Sequence, residues 1–263
     1  MKWLIPILLL AGCAGSPQSE MSVQTSRQRQ AVQRALEAER QGRPTVAAQQ
    51  WQSAIQLARL QDDWEAQGRA QLGLAQLLIR NGEYQAAAIG LKGLRENTLY
   101  SDEQRAQAAL LLARAGLRIQ GVDVAAAIAG AASFCSSTAC AWQPAIRNVE
   151  ARLALQQQDP VRALQIADGV LLQSELALAE RSHALRTRAE ALLAMGRALQ
   201  ALPALGDALV IDRQIGEPLW LLDDYRLQLA IASATGNLAL ERESRWRIES
   251  LCRALDEKVC GTP

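Results

Sequence analysis

The sequence predicts an all-α fold, an α-solenoid of about six helix-turn-helix repeats with about twelve helices. Ala, Leu, Gln and Arg dominate the chain, and these residues favour helices. Alternating β-branched runs of strand length are absent from the sequence. A turn signal recurs every 37 to 40 residues, at Gly42, Gly82, Gly121, Asp159, Gly196 and Gly236. An independent marker follows the same period, because Trp64, Trp142 and Trp220 are each 78 residues apart, which is two periods.

The stretch 68–94 shows the repeat unit most clearly. It predicts two helices joined by a turn at Gly82, a residue that tolerates the positive φ common at helix C-termini. Small Ala75 and Ala87 should let the helices approach closely, with large apolar residues between them at Leu72, Leu78 and Leu91. This spacing resembles the tetratricopeptide repeat, whose usual period is about 34 residues. The longer period here indicates longer first helices.

The helix pairs can be placed in order from their start and stop signals. The first helix is expected over 26–40, and Pro44 suits the first turn of the next helix. Later pairs are expected to begin at Asp62, Ser101, Trp142 and near Pro218, and the last helix to end around Leu255. The fifth pair is placed by residues in register with 68–94, from Leu185 through Gly196 to Ala208. Gly90 and Gly93 within a helix indicate either close helix packing or a locally weak helix. The charged last helix is typical of a terminal cap.

The N-terminus reads as a lipoprotein signal peptide over residues 1–12. The apolar run after the first basic residue is too short to span a bilayer. Leu10-Ala11-Gly12-Cys13 resembles the bacterial lipobox, which implies that Cys13 carries the lipid. An ordinary signal peptide with an incidental cysteine is the alternative. Ala14, in place of a retention Asp, favours the outer membrane, with the protein lipid-anchored and facing the periplasm. Multiple acyl chains make a stable anchor.

Two further segments follow, a lipidated flexible tether at 13–26 and the repeat domain at 27–263. The tether is rich in small and polar residues with little apolar surface, which favours disorder. The full chain has 28 basic and 27 acidic residues. Removing residues 1–12 takes away one lysine and leaves 27 of each sign. A neutral mature chain argues against nucleic acid as a partner.

Four cysteines remain beside Cys13, at Cys135, Cys140, Cys252 and Cys260. An even number in an exported chain predicts disulfides. Three pairings are possible, and short loops favour the local one, which joins 135 to 140 and 252 to 260. A metal site is the alternative, but the spacing is not C-x2-C and His183 is the only imidazole.

Signals of catalysis are absent, so the sequence predicts a protein that is not an enzyme and that uses no cofactor and no metal. There is no H-E-x-x-H, G-x-S-x-G, P-loop or dinucleotide motif. Asp223 and Asp224 are adjacent, and neighbours on a helix do not face each other, so a solvated acidic face is expected. His183 is expected at a helix surface.

Binding is the remaining class of function. The tetratricopeptide resemblance implies that the first helices line a concave groove that receives peptides or partner helices. Its register places these residues in or near the groove: Arg69, Gln76, Arg80, Arg118, Asn148, Arg152, His183, Arg186, Glu190, Asp223 and Arg226. Arginine outnumbers acid there six to two. This excess predicts an acidic peptide or a partner's C-terminal carboxylate as ligand. The alternative is that Arg is simply the common polar residue of this chain.

The function expected from anchor and repeats together is a non-enzymatic scaffold that binds a partner protein in a cell-envelope complex. Outer-membrane, pilus, secretion and cell-wall assembly all use such proteins, and fold alone does not choose among them. A pilotin for a type IV pilus or secretion secretin is the first alternative, and loss of secretin multimers in a deletion strain would favour it. A cell-wall enzyme or its direct activator is the second, and muropeptide release by the purified protein would favour it.

Overall fold

The computed structural model describes residues 23–135, 140–255 and residue 260, and within these the chain forms twelve helices and no strand. The predicted fold class is confirmed. The helices are α1 Val23–Arg40, α2 Pro44–Arg59, α3 Trp64–Arg80, α4 Tyr84–Glu96, α5 Asp102–Gly116, α6 Val124–Cys135, α7 Gln143–Gln156, α8 Pro160–Leu171, α9 Leu178–Ala194, α10 Ala198–Ile215, α11 Pro218–Thr235 and α12 Leu238–Ala254. None of these described helices is both long and apolar enough to cross a bilayer.

The helices stack in chain order. Each packs against the next one, and in addition α3, α5, α7, α9 and α11 contact one another in succession. A stack whose first helices touch across repeats is curved toward those helices, because elements on the inner radius lie closer together. The first helices therefore line the inner, concave side, as a helical solenoid requires.

The turns of each pair follow the predicted period. Gly42, Gly82, Gly196 and Gly236 have φ between 64° and 76°, the left-handed region in which a side chain is disfavoured. In the fourth pair the positive φ falls on Gln158, at 62°, one residue before the predicted position. Asp159 instead caps α8, and its carboxylate accepts a hydrogen bond from the Arg162 backbone N–H at 3.0 Å.

The three periodic tryptophans lie at the starts of α3, α7 and α11 and contact aromatic rings of neighbouring helix pairs. Trp64 meets Tyr100 edge-on at 5.3 Å between ring centroids, and Trp220 meets His183 edge-on at 4.4 Å. Trp142 stacks on Phe134 at 5.7 Å. Aromatic pairs of this geometry contribute free energy beyond that of their buried area. Every second repeat therefore makes an aromatic contact near the start of its first helix.

Two predicted boundaries differ from the structure. The first helix begins at Val23, three residues before its predicted start at residue 26. The Thr25 hydroxyl donates to Gln61 Oε1 at 2.7 Å, which anchors this first turn on the second connection. The cap of α3 is Asp63, which accepts from the Ala66 N–H, because Asp62 has φ of 51° and its carboxylate accepts from the Trp64 indole. Residues 1–22, with Cys13, lie outside the described residues.

Small residues decide how closely the helices approach. Ala75 and Ala87 are buried in the core, as predicted. A Cβ added at Gly73 would lie 2.7 Å from the Trp51 ring, so a larger residue would clash there. Gly90 and Gly93 have no heavy atom within 4 Å of an added Cβ. The close-packing interpretation of these two glycines is therefore wrong, since they face open space.

The C-terminal end of the stack is polar. Ser244 is the only buried residue of α12, and exposed i,i+4 ion pairs such as Arg245–Glu241 and Arg253–Glu249 run along the helix. Such pairs add a few tenths of a kcal/mol each, about 0.2–0.5. The charged face is that expected of a terminal cap, although Leu238 and Trp246 of the same helix are also exposed.

Both local cysteine pairs lie at disulfide distance. The Cα atoms of Cys135 and Cys140 are 5.0 Å apart, and those of Cys252 and Cys260 are 5.6 Å apart. The first pair connects the end of α6 to the start of α7, and the second ties residue 260 to α12. Within the described residues no group of three or more His, Cys, Asp or Glu side chains could hold a metal ion.

Candidate partner-binding groove

The inner side of the stack contains two regions of different character. Between α3 and α5 the surface opens into a cleft, whereas from α5 to α11 side chains of different repeats meet and form ion pairs across it. We call these the open half and the closed half of the groove. Arg69 of the predicted set lines the cleft of the open half, whereas Gln76 is exposed on α3 and is not part of the cleft lining. The closed half contains six predicted residues: Arg118, Asn148, Arg152, His183, Glu190 and Asp223.

Each of the six predicted arginines has a partner within the chain. These pairs are Arg69 with Glu65, Arg80 with Glu39, Arg118 with Asp223, Arg152 with Glu190, Arg186 with Asp212 and Asp224, and Arg226 with the Cys260 carbonyl. Arg118 and Arg152 pair with the two acids of the predicted list, whereas the carboxylates that bind Arg69, Arg80 and Arg186 lie outside that list. The groove is a network of paired charges and not a row of open cations.

In the closed half, Glu180 at the start of α9 is held by two earlier repeats. One carboxylate oxygen accepts from Arg114 Nη2 of α5 at 2.8 Å, and the other accepts from Asn148 Nδ2 of α7 at 2.8 Å. The Asn148 amide also donates to the Glu180 backbone carbonyl at 2.9 Å. Both oxygens of one carboxylate are thus bound by donors from two different helices.

Arg118, just after α5, forms an ion pair with Asp223 of α11, 105 residues away. Its guanidinium also lies 6.0 Å from the centroid of the Tyr84 ring. Burial lowers the pKa of Arg118, but the Asp223 carboxylate outweighs burial and raises it overall. This pair joins the end of the third repeat's first helix to α11, the first helix of the sixth repeat.

Arg186 lies at the centre of a buried cluster and not on the open groove surface. Its Nε donates to Asp224 Oδ1 at 2.5 Å, and its Nη2 donates to Asp212 Oδ2. The Arg186 side chain is 7% exposed and both carboxylates are 0% exposed. The solvated acidic face expected at Asp223 and Asp224 is therefore wrong for Asp224. The cluster connects α9, α10 and α11.

Asp212 and Asp224 each keep one carboxylate oxygen without a hydrogen-bond partner, Oδ1 and Oδ2 respectively. Burial raises the pKa of Asp224, Arg186 lowers it and the adjacent Asp212 raises it, and together these effects bring it to about 7. One arginine cannot neutralise two buried carboxylates, so a proton on Asp224 balances the charge of the cluster.

His183 is half-buried and not a freely exposed helix residue. Its ring meets Trp220, and its Nδ1 lies 3.4 Å from Arg186 Nη1. Burial, and then the nearby Arg186, Arg114, Arg152 and Arg118, lower the pKa of His183 well below its usual value. The imidazole is therefore neutral at pH 7, and no carboxylate forms an ion pair with it in the described structure.

The cleft of the open half has a volume of about 780 Å³ and lies between α3, α5 and the connection before α5. It is lined by Glu65, Arg69, Leu72, Thr98, Leu99, Tyr100, Ser101, Glu103, Gln104 and Gln107. Arg69 pairs only with Glu65 of its own helix, and both side chains are more than half exposed, at 60% and 73%. A ligand can therefore reach this arginine without separating two repeats.

Two predicted arginines, Arg80 and Arg226, bind groups outside the ion pairs of the closed half. Arg80 pairs with Glu39 of α1, and the same carboxylate accepts from the Trp51 indole at 2.6 Å, so Arg80 connects the first repeats. Arg226 Nη2 donates to the Cys260 carbonyl at 2.8 Å, which holds residue 260 against α11. These two arginines stabilise the ends of the stack.

The sequence analysis missed Asp212 and Glu180, the carboxylates that bind Arg186 and Arg114, because the predicted list was confined to one register of the first helices. Asp212 lies on the second helix α10, yet Ala201, Leu205, Ala208 and Asp212 follow one i, i+4, i+7, i+11 face. A carboxylate on an apolar face needs a buried cation, so this spacing was the available signal. Glu180 and Arg114 had no comparable signal, because their meeting depends on the curvature of the stack.

No protein-family model matches the chain, and no curated protein matches it in sequence. Among solved structures, the chain is similar to one described as BtubC (BKLC) from P. vanneervenii, with a TM-score of 0.51 and 17% sequence identity. The similarity covers 89% of this chain and 92% of that chain. At this identity the similarity concerns the fold alone, and one fold serves many functions.

Proposed function

We propose that the protein is a non-enzymatic, lipid-anchored scaffold that binds a partner protein of a cell-envelope complex through the inner groove. The observation that carries this proposal is the open cleft of about 780 Å³ between α3 and α5 on the inner side of a helical stack. It combines an exposed arginine and two glutamates with amide, hydroxyl and apolar side chains. Such a mixture suits a peptide segment, which needs both polar and apolar contacts.

The ligand class that suits the cleft is an acidic segment or the C-terminal carboxylate of the partner. Arg69 is the exposed cation of this cleft, and a guanidinium can bind a carboxylate with two parallel hydrogen bonds. Gln107 and Gln104 also line the cleft, and their amides offer donors and acceptors to a peptide backbone. The partner's segment would compete with Glu65, which belongs to the same helix as Arg69.

Anchoring through Cys13 would hold the groove at the membrane surface. Acylation at this cysteine can be tested by mass spectrometry of the membrane fraction, which should show a lipid-modified N-terminal Cys13. Replacing Cys13 with Ser should release the protein from the membrane. An unmodified mature N-terminus at another residue would contradict the lipoprotein proposal.

Partner binding can be tested by crosslinking and pull-down from intact cells, comparing the wild type with Arg69→Glu. The substitution replaces the one cation among the described residues that line the cleft with a third carboxylate beside Glu65 and Glu103, and it should remove the partner. The fold should be retained, because the only ion pair lost is an exposed i,i+4 pair worth about 0.2–0.5 kcal/mol. The identity of the captured protein then distinguishes a secretin, a cell-wall enzyme and other envelope partners.

Arg242→Glu is the matched control, since it makes the same charge change on the exposed face of α12. Loss of the partner from Arg242→Glu, with capture retained by Arg69→Glu, would place the binding surface elsewhere. Retained capture by both variants would also rule out the open half of the groove.

A further inference from the structure

Carboxylates of the chain itself occupy the arginines of the closed half in the way an external ligand would. Glu180 is bound through both oxygens by Arg114 and Asn148, each at 2.8 Å. Asp223 is bound by Arg118. Arg114 belongs to α5, Asn148 to α7, and Arg118 follows the end of α5. The two carboxylates belong to α9 and α11. The closed half therefore already displays carboxylate recognition, with its own later repeats as the ligand.

These contacts bridge the groove instead of joining successive helices. Arg114 and Glu180 are 66 residues apart, and Arg118 and Asp223 are 105 residues apart. The Arg80, Arg152 and Arg186 pairs span 41 residues or fewer and so connect neighbouring repeats. Separating Arg114 from Glu180 and Arg118 from Asp223 would thus widen the groove, whereas separating the shorter-range pairs would break the stack itself.

The bridging pairs are accessible enough to be exchanged. The side chains of Arg118 and Asp223 are 42% and 20% exposed and those of Arg114 and Glu180 are 31% and 16% exposed, in contrast to 7% for the buried Arg186. Ion pairs in contact with water contribute little net free energy, because solvent screens the charges and ordering the side chains has an entropic cost. A carboxylate of a ligand can therefore replace Glu180 or Asp223 at little net cost.

We propose that Glu180 and Asp223 are internal ligands that keep the closed half of the groove occupied until an acidic segment of a partner displaces them from Arg114 and Arg118. The inference concerns regulation of the proposed groove and rests on the proposed function. A partner would first bind in the open half, where Arg69 is accessible, and then extend along α5 toward the closed half. Only a segment that carries carboxylates can take the place of Glu180 and Asp223, because only a carboxylate restores the charged hydrogen bonds of Arg114 and Arg118.

The test measures binding of a fluorescein-labelled hexaglutamate peptide to the purified full chain by fluorescence anisotropy. Asp223→Asn combined with Glu180→Gln removes the internal ligands, and the peptide should bind about tenfold tighter or more, as expected when charged hydrogen bonds become available. Adding Arg118→Ala and Arg114→Ala should remove this gain. The swapped variant Arg118→Asp with Asp223→Arg keeps the bridge in reverse and should bind as weakly as the wild type.

Glu241→Gln with Glu243→Gln is the matched control, because it removes two negative charges on α12, outside the groove. Equal affinity in the wild type and the Asp223 and Glu180 variant overturns the inference, and so does an equal gain in the control. If the inference falls while partner capture still depends on Arg69, the proposed function stands alone. If the gain is found while Arg69→Glu retains the partner, the inference stands and docking in the open half falls.

Discussion

At Asp224, burial and a neighbouring acid oppose the pairing with Arg186. The carboxyl group is 0% exposed, and its pKa is raised from 3.8 to about 7. A raised pKa means that the folded protein binds this proton more tightly than the unfolded chain. The stabilising contribution is therefore complete below about pH 4 and is lost as the pH rises through about 7.

Replacing Asp224 with Asn should remove this pH dependence, because the amide resembles the protonated acid. The wild type should lose stability relative to Asp224→Asn between pH 5 and pH 8, by on the order of a few kcal/mol, since each unit of pKa shift corresponds to about 1.4 kcal/mol. The measurement is urea unfolding of both proteins at each pH. Asp207→Asn, an exposed acid on α10, is the control. A difference between wild type and Asp224→Asn that stays constant with pH would contradict the assignment.

The sequence was least informative about the burial of individual side chains. It placed Arg186, Asn148 and Arg118 on the inner side of the stack, but it assigned Arg186 to an open surface. Local patterns give the face of a helix on which a residue lies, whereas burial of a charge depends on what packs over that face. For Arg186 this is Asp212, which comes from a second helix and closes the cluster.

At the scale of the single helix, glycines divide into two kinds. Gly73 of α3 is needed for close packing, because an added Cβ would lie 2.7 Å from the Trp51 ring, and Trp51 is 6% exposed. Gly206 of α10 has nothing within 4 Å of an added Cβ and lies on an exposed face. Gly73 therefore allows α2 and α3 to pack closely, whereas Gly206 only lowers the stability of α10.

Alanine at these two positions should have opposite effects. Gly206→Ala should stabilise the protein by about 0.5–1 kcal/mol, because alanine restricts the unfolded backbone and favours the helix. Gly73→Ala should destabilise it by about 1–3 kcal/mol through overpacking against Trp51. Chemical denaturation of both variants measures the difference. Equal shifts of the same sign would mean that the packing of α3 against α2 differs from the one described.

The starts and ends of the helices were the features that the sequence predicted best. Ser101 accepts from the Gln104 N–H at 3.2 Å, as its spacing predicts, and Asp159 with Pro160 begins α8. These signals depend only on neighbouring residues, so one sequence suffices to find them. Gly90 and Gly93 were not decidable in this way, because a helical glycine looks alike in sequence whether it faces a neighbour or solvent.

At the scale of the whole molecule, the number and order of helices followed from the 37- to 40-residue period, but the state of the groove did not. The period specifies a stack and leaves its curvature open. Curvature decides whether Arg118 meets Asp223, which are 105 residues apart. Contacts of this range have no local signature, so the open and closed halves could be found only in three dimensions.

The repeat architecture also predicts which helices lose stability when a disulfide is removed. Stability in such an array is close to a sum of repeats and nearest-neighbour interfaces, so a local change stays local. Cys252 and Cys260 tie residue 260 to α12, where its carbonyl accepts from Arg226 of α11. Changing both cysteines to Ser should therefore weaken α11 and α12 by up to about 2–3 kcal/mol, the value of a short closed loop in the chain-entropy model.

Hydrogen exchange of the amides measures this effect helix by helix. Protection should fall in α11 and α12 and remain unchanged in α3 and α4, which lie four repeats away. The pair Cys135→Ser and Cys140→Ser provides the comparison, because it should lower protection in α6 and α7 instead. Uniform loss of protection in either variant would mean that the stack unfolds as one cooperative unit. The bridges from α5 to α9 and α11 would then couple the repeats more strongly than nearest-neighbour packing does.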